Sequence, residues 1–226
     1  MPLANELMHP CLVEGLKTIV FDCDGVLIDS HDANMRYYGI IKDELDLPPL
    51  TDEEKVYVHT HTHKDAIRFI VPDALFKKAW DVVQNVDSTS MMQYLKRSEG
   101  VREFLWWLRD AGFNLAVNTS RTDTMDMILR EMDLEGFFFP VITSAKVCTP
   151  KPHPEGLHII MRELGVCTEE VAFIGDSLVD QQTANAAGVR FWAYKDANLE
   201  ADVHIESFWD IKAAMQRSYK GCICSF

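Results

Sequence analysis

The sequence predicts an α/β fold, a doubly wound parallel sheet with a helical insertion, and three observations carry that prediction. Short apolar runs alternate with amphipathic segments along most of the chain, the pattern of strand–helix–strand units around a mostly parallel sheet. The runs are rich in β-branched and aromatic residues and are flanked by Gly, Asp or Ser, as buried strands are. Between residues 30 and 96 the rhythm breaks, and helix-like segments follow one another with little strand signal.

The strands are expected at 16–22 (LKTIVFD), 113–119 (FNLAVNT), 138–143 (FFPVIT), 171–175 (VAFIG) and 189–194 (VRFWAY). Helices are expected at 101–111, 122–132, 154–164 and 178–187. Gly165 and Gly188 stand where helix C-terminal glycines belong. In the insertion, segments 34–45, 51–58, 64–70 and 74–83 read as helices, punctuated by Pro48, Pro49 and Pro72. Asp29 and Ser30 read as caps of the first of them. The division is therefore a core of residues 1–29 and 97–226 and an inserted helical domain of residues 30–96. Ligands of open α/β sheets bind beyond the carboxyl ends of the strands. An insertion that departs from the end of the first strand is placed to cover such a site.

Composition narrows the class. Of 226 residues, 47% are hydrophobic and 25% charged, as in ordinary globular chains. A formal net charge of −13 argues against nucleic-acid partners, which need a basic patch. An anionic ligand would have to be attracted by local features: a metal ion, a lysine, helix N-termini. Cys11, Cys23, Cys148, Cys167, Cys222 and Cys224 form no CxxC pair and read as reduced thiols of a cytosolic protein. The Cys222–Ile223–Cys224 end does not match a prenylation signal. No secretion signal and no apolar stretch of about 18 residues is present, so the expectation is a cytoplasmic protein with no membrane partner. Oligomeric state has no sequence signal here.

The chemistry-bearing residues gather at the strand ends. The first strand ends in Asp22-Cys23-Asp24-Gly25 and the second in Thr119-Ser120. Lys151 follows the third, in Thr149-Pro150-Lys151-Pro152, and the fourth ends in Asp176, with Asp180 one helical turn later. Parallel strands bring all of them to one edge: four carboxylates, a lysine and a hydroxyl. Clustered carboxylates repel unless protonated or neutralised. A hard divalent cation with oxygen ligands is the natural neutraliser, and Mg2+ fits best. If the Asp-x-Asp segment is extended, its two side chains point the same way. One carboxylate can then attack phosphorus while the other handles the leaving group's proton. Gly25 frees the backbone to turn, and backbone N–H groups around Cys23 and Ser120 can cradle phosphate oxygens.

In order, spacing and strand context these motifs resemble the four-motif pattern of the haloacid dehalogenase superfamily, over about residues 16–215. The closest match is its phosphatase branch with an inserted helical cap, to which phosphoglycolate phosphatases and β-phosphoglucomutases belong. The resemblance implies a Rossmann-like core and a Mg2+-dependent phosphomonoester hydrolase acting on a small phosphorylated metabolite. It implies Asp22 as nucleophile and metal ligand, and Asp24 as general acid/base with its backbone carbonyl on the metal. Thr119 and Ser120 would bind the phosphoryl group, and Lys151 would balance charge between Asp22 and phosphate. Asp176 would ligate the metal, and Asp180 would ligate it or orient its waters. Singly, each motif has a blander reading, such as a solvated acidic pair or a strand-end hydroxyl; their joint order is what carries the match.

Two alternatives stand beside the hydrolase. A sugar-phosphate phosphomutase of this family usually carries a histidine twelve residues after the nucleophile, where this chain has Asn34. A non-catalytic binding protein on the same fold would commonly lack an aspartate or the lysine. Dehalogenases and phosphonatases of the family usually lack the aspartate that Asp24 supplies. Outside the core motifs, His59, His61 and His63 form an H-x-H-x-H run, read as a loop of the insertion facing the site or a solvated loop before a zinc site. Lys64 could pair with an acidic group on the substrate. Arg121 reads equally as a substrate contact or as a surface residue at a helix start. Trp106, Trp107 and Trp192 read as core or near-core packing.

Overall fold

The computed structural model describes residues 13–60, 63–86 and 88–223. In chain order the regular elements are β1 (Thr18–Phe21), β2 (Ile28–Asp29), α1 (His31–Glu44), α2 (Asp52–Thr60), α3 (His63–Ile70), α4 (Phe76–Asn85), β3 (Lys96–Arg97), α5 (Val101–Asp110), β4 (Asn114–Asn118), α6 (Met125–Glu131), β5 (Val141–Ile142), α7 (Glu155–Leu164), β6 (Val171–Gly175), α8 (Leu178–Ala187), β7 (Arg190–Tyr194), β8 (Val203–Ile205) and α9 (Phe208–Ile223). The chain divides into two compact units. One is Asp29–Lys96; the other is built from the chain on either side of it. The passages between them, β2 and β3, pair with each other as a separate two-stranded sheet.

The main sheet has six strands in the order β5-β4-β1-β6-β7-β8, all paired in parallel. Phe21, the last residue of β1, lies beside Val117 of β4 and Ile174 of β6. The residues that follow these three strands therefore emerge at one edge, on either side of β1, where successive connections depart in opposite directions. Strand residues alternate between two apolar faces. Val20, Ala116, Phe173, Phe191 and Ala193 pack with Leu157, Ile160 and Ala184 of α7 and α8. On the opposite face Phe21 and Tyr194 stack against Phe104 of α5 and Phe208 of α9, with ring centroids 4.6–6.5 Å apart. The continuous apolar character of the strands follows from this double burial.

Three details depart from the sequence expectations. A sixth strand, β8, is present; its three residues Val-His-Ile are too few to show a period, and His204 within it is buried with Nε2 on the Leu199 carbonyl at 2.9 Å. The third expected strand shrinks to Val141–Ile142. Pro140 accepts from Val117 N at 3.1 Å but has no amide to donate, so regular pairing starts after it. Helix α6 starts at Met125, three residues later than expected, because residues 121–124 form a loop around Arg121.

The inserted unit has its own core, in which Tyr38, Ile41, Val58, Ala66, Ile67, Ile70 and Ala79 converge from α1 to α4. Lys42 is buried in it and donates twice to Glu54 at 2.8 Å, which satisfies an ammonium that would otherwise be costly to bury. At the start of α1 it is Asp29, not Ser30, that caps: Asp29 Oδ1 accepts from His31 N at 3.0 Å, and the buried Ser30 hydroxyl makes no hydrogen bond among the described residues. Among the described residues no helix is long and apolar enough to cross a membrane.

Phe208 touches Phe21, Phe104 and Tyr194 and is fully buried. Phe208→Ala is expected to destabilise the core unit by about 3–5 kcal/mol, measured as a drop in the urea midpoint with an unchanged m-value.

Candidate active site

The edge of the sheet beyond β1, β4 and β6 is acidic, and local backbone chemistry explains why its side chains converge. Asp22 continues β1 by one residue, its N–H on the Ile174 carbonyl at 2.9 Å. The chain then turns: Leu27 N and Ile28 N both donate to the Cys23 carbonyl, at 2.9 and 3.1 Å. The turn thus begins at Cys23, inside the Asp-x-Asp segment. Gly25 takes φ +72° in this turn, a left-handed conformation that glycine adopts without strain. Asp180 is fixed by a capping box at the start of α8: Ser177 Oγ accepts from Asp180 N at 3.3 Å and donates to Asp180 Oδ2 at 2.5 Å. Lys151 sits on the loop before α7. Glu155, in the first turn of α7, holds that loop by accepting from Cys148 N at 2.8 Å and Thr149 N at 2.9 Å.

Lys151 joins the strand ends. Its Nζ donates to Asp22 Oδ1 at 2.8 Å and to Asp180 Oδ1 at 2.7 Å, and its side chain is only 5% exposed. Asp22, Asp176 and Asp180 each bring a carboxylate oxygen within 4.8 Å of the others. Burial, reinforced by the neighbouring carboxylates and opposed by Lys151, pushes the Asp22 carboxyl up to about 7. Burial and the charges of Asp22 and Asp180 push Asp176 well above the usual carboxylate range. Burial works against the Lys151 charge, but Asp180 and Asp22 outweigh it and its affinity for the proton rises. Three carboxylates against one ammonium leave an excess of negative charge. Oxygen donors at this separation, with Asp176 in no ion pair among the described residues, are the donor set a hard divalent cation takes. The residues present therefore fit Mg2+.

Asp24 has a different partner. Arg121 donates to it through Nε (to Oδ2, 2.7 Å) and through Nη2 (to Oδ1, 2.7 Å), a two-point fork across loops 97 residues apart in sequence. Two carboxylates separated by one residue are thus held by two different cations. Cys23 between them is buried; burial and the Asp24 charge push its thiol well up, so it is no thiolate nucleophile despite its position. Thr119 is buried at the end of β4, its N–H on the Ile142 carbonyl at 3.0 Å and its hydroxyl accepting from Arg121 N at 3.2 Å, and Ser120 beside it is exposed.

Asp22, Lys151, Asp176 and Asp180 are brought together, and Asp24, Thr119 and Ser120 lie on the adjoining loops. The candidates outside the core motifs fare differently. His63 places both ring nitrogens on tyrosine hydroxyls, Nε2 at 3.0 Å from Tyr37 and Nδ1 at 3.2 Å from Tyr38, and so offers neither to a metal; His61 and the side chain of His59 lie outside the described residues, as do Cys11 and Cys224. Trp192 is fully buried as expected, but Trp106 is 44% exposed, with Phe137 at its edge and the Arg109 guanidinium over its ring. Sequence reasoning missed the Arg121–Asp24 fork, because no local pattern links residues so far apart. It also missed Glu155, which carries a readable signal: an acidic residue in the first turn of the helix that follows the Lys-Pro loop.

Gly25 and Asp176 are in closest approach, since a Cβ on Gly25 would fall 1.7 Å from Asp176 Oδ2. Gly25→Ala is expected to displace that carboxylate and so to lower the affinity of the acidic cluster for an added divalent cation. Calorimetric Mg2+ titration of the variant beside the wild type checks this.

The model of the haloacid dehalogenase-like hydrolases matches residues 19–194, which span every strand end described above except that of β8. A phosphoglycolate phosphatase of Pseudomonas syringae pv. tomato is 30% identical over 189 residues, covering 76% of this chain and 67% of the relative. Pyrophosphatase PpaX of Bacillus pumilus is 27% identical over 179 residues, covering 77% and 81%. Among solved structures, a HAD-superfamily hydrolase of subfamily IA from Geobacter sulfurreducens superposes with a TM-score of 0.75 at 32% identity, over 93% of this chain and 98% of that one. With its six-stranded parallel sheet and acidic strand ends, the chain belongs to the haloacid dehalogenase-like hydrolases.

Proposed function

We propose that this hydrolase is a Mg2+-dependent phosphomonoesterase that acts on a small phosphorylated metabolite through an aspartyl-phosphate on Asp22. The observation that carries the reading is the cluster of Asp22, Asp176 and Asp180 at the strand ends, with Lys151 bonded to Asp22 and Asp180. Asp22, Asp176, the Asp24 carbonyl and Asp180, directly or through water, would hold the cation. When bound, the cation neutralises phosphate charge and orients the group for in-line attack.

In the first step a carboxylate oxygen of Asp22 attacks phosphorus. The ester P–O bond breaks, its electron pair goes to the leaving oxygen, and Asp24 gives that oxygen a proton. In the second step water attacks the phosphorus of the aspartyl-phosphate and passes a proton to Asp24. The bond from phosphorus to Asp22 breaks, so inorganic phosphate leaves and the Asp22 carboxylate is restored. Lys151 stays charged throughout and offsets the negative charge that accumulates on Asp22 and the phosphoryl oxygens. Thr119 and the backbone around Ser120 would bind those oxygens. The inserted helical unit, which leaves the chain directly after the Asp22 turn, would act as a cap that excludes water and selects substrate. The relatives' names make phosphoglycolate and pyrophosphate the first compounds to try.

Phosphate release from a panel of phosphorylated metabolites is expected with Mg2+ and not with excess EDTA. Asp22→Asn is expected to lower turnover at least about 1,000-fold with the thermal midpoint little changed. Retained turnover by that variant would sink the covalent reading, and formation of an isomer without phosphate release would favour a mutase.

A further inference from the structure

We propose that Arg121 is a positioning residue for the proton-transfer step: it fixes the Asp24 carboxylate beside the nucleophile and acts through Asp24, without binding substrate. The inference rests on the reading of Asp24 as the group that protonates the leaving oxygen. Its support is geometric. Asp24 lies in a tight turn next to Gly25, and its side chain is 36% exposed. Arg121 contacts both of its oxygens at 2.7 Å, and a planar fork on a planar carboxylate sets its orientation as well as its position.

Arg121 is itself anchored on three sides. Its N–H donates to Thr119 Oγ1 at 3.2 Å; its carbonyl accepts from Ser144 N at 2.9 Å and from Ser144 Oγ at 3.1 Å; its Nη1 donates to Thr124 Oγ1 at 3.2 Å. The loop between β4 and α6 therefore presents the guanidinium to the turn after β1 as a fixed part of the core. A carboxylate offers about four lone-pair sites, and a two-point fork takes two of them. Proton transfer needs the leaving oxygen within about 3 Å of that carboxylate, and misplacement of about 1 Å costs on the order of 100-fold.

The test separates this role from substrate binding by varying the leaving group. An alkyl phosphate such as phosphoglycolate releases an alkoxide that needs a proton, whereas p-nitrophenyl phosphate releases a phenolate that does not. For Arg121→Ala, kcat/KM on the alkyl ester is expected to fall about 100-fold, with a change of about threefold or less on the aryl ester. Arg121→Lys, which restores one contact of two, should fall between wild type and Arg121→Ala, and added guanidinium should recover part of the loss. Recovery also shows that the variant is folded. In an Asp24→Asn background, Arg121→Ala should add nothing, because residues that act as a unit are not additive. Equal losses on both esters, a raised KM at constant kcat, or additive losses would each overturn the inference. If Asp24→Asn itself fails to discriminate between the esters, the acid/base reading falls and the inference with it. If Asp24→Asn discriminates and Arg121→Ala does not, the inference alone falls.

Discussion

The Lys151 ammonium, bonded to Asp22 at 2.8 Å and to Asp180 at 2.7 Å, is the contact on which the acidic edge of the sheet depends. Carboxylates buried together are unfavourable without a counter-charge, and removing one partner of such a group leaves the others uncompensated. Lys151 reaches them from a loop with no regular structure of its own, and Glu155 ties that loop to the first turn of α7. A helix that packs on the sheet through Leu157 and Ile160 thereby sets the height of an ammonium at the strand ends. The remaining negative charge is what makes the centre fit a divalent cation.

Several residues here meet a backbone requirement and a chemical one at once. Asp180 caps α8 through its exchange of hydrogen bonds with Ser177 and also accepts from Lys151. Gly25 takes a left-handed turn and leaves the room that Asp176 fills. Gly175 ends β6 where a Cβ would fall 2.3 Å from the Asp180 side chain. Such positions tolerate little change, because either requirement alone would exclude most side chains.

Asp22 and Asp24 have similar side chains and opposite surroundings. Asp22 is buried beside Lys151 and two further carboxylates, while Asp24 is partly exposed and held by Arg121. Environment, not residue type, separates the roles proposed for them, one as attacking carboxylate and one as proton carrier. In a chain with a formal charge of −13, the cations at these strand ends are placed singly, Lys151 between Asp22 and Asp180 and Arg121 on Asp24.

Read alone, the sequence determined the parallel α/β core, the helical insertion and the strand-end residues Asp22, Thr119, Lys151 and Asp176. Continuous apolar runs and ordered motifs are local properties, and parallel strands necessarily carry their ends to one edge. The three-residue β8, the delayed start of α6 and the exposure of Trp106 were not legible, since each depends on neighbours that a short window does not contain. The turn that begins at Cys23 was not legible for the same reason: two amides reach back to the Cys23 carbonyl from four and five residues ahead. Only the tertiary structure decided which cation serves which carboxylate. Lys151 is 129 residues from Asp22, and Arg121 is 97 from Asp24. At those separations the pairing is set by strand order and loop height, which no local pattern encodes.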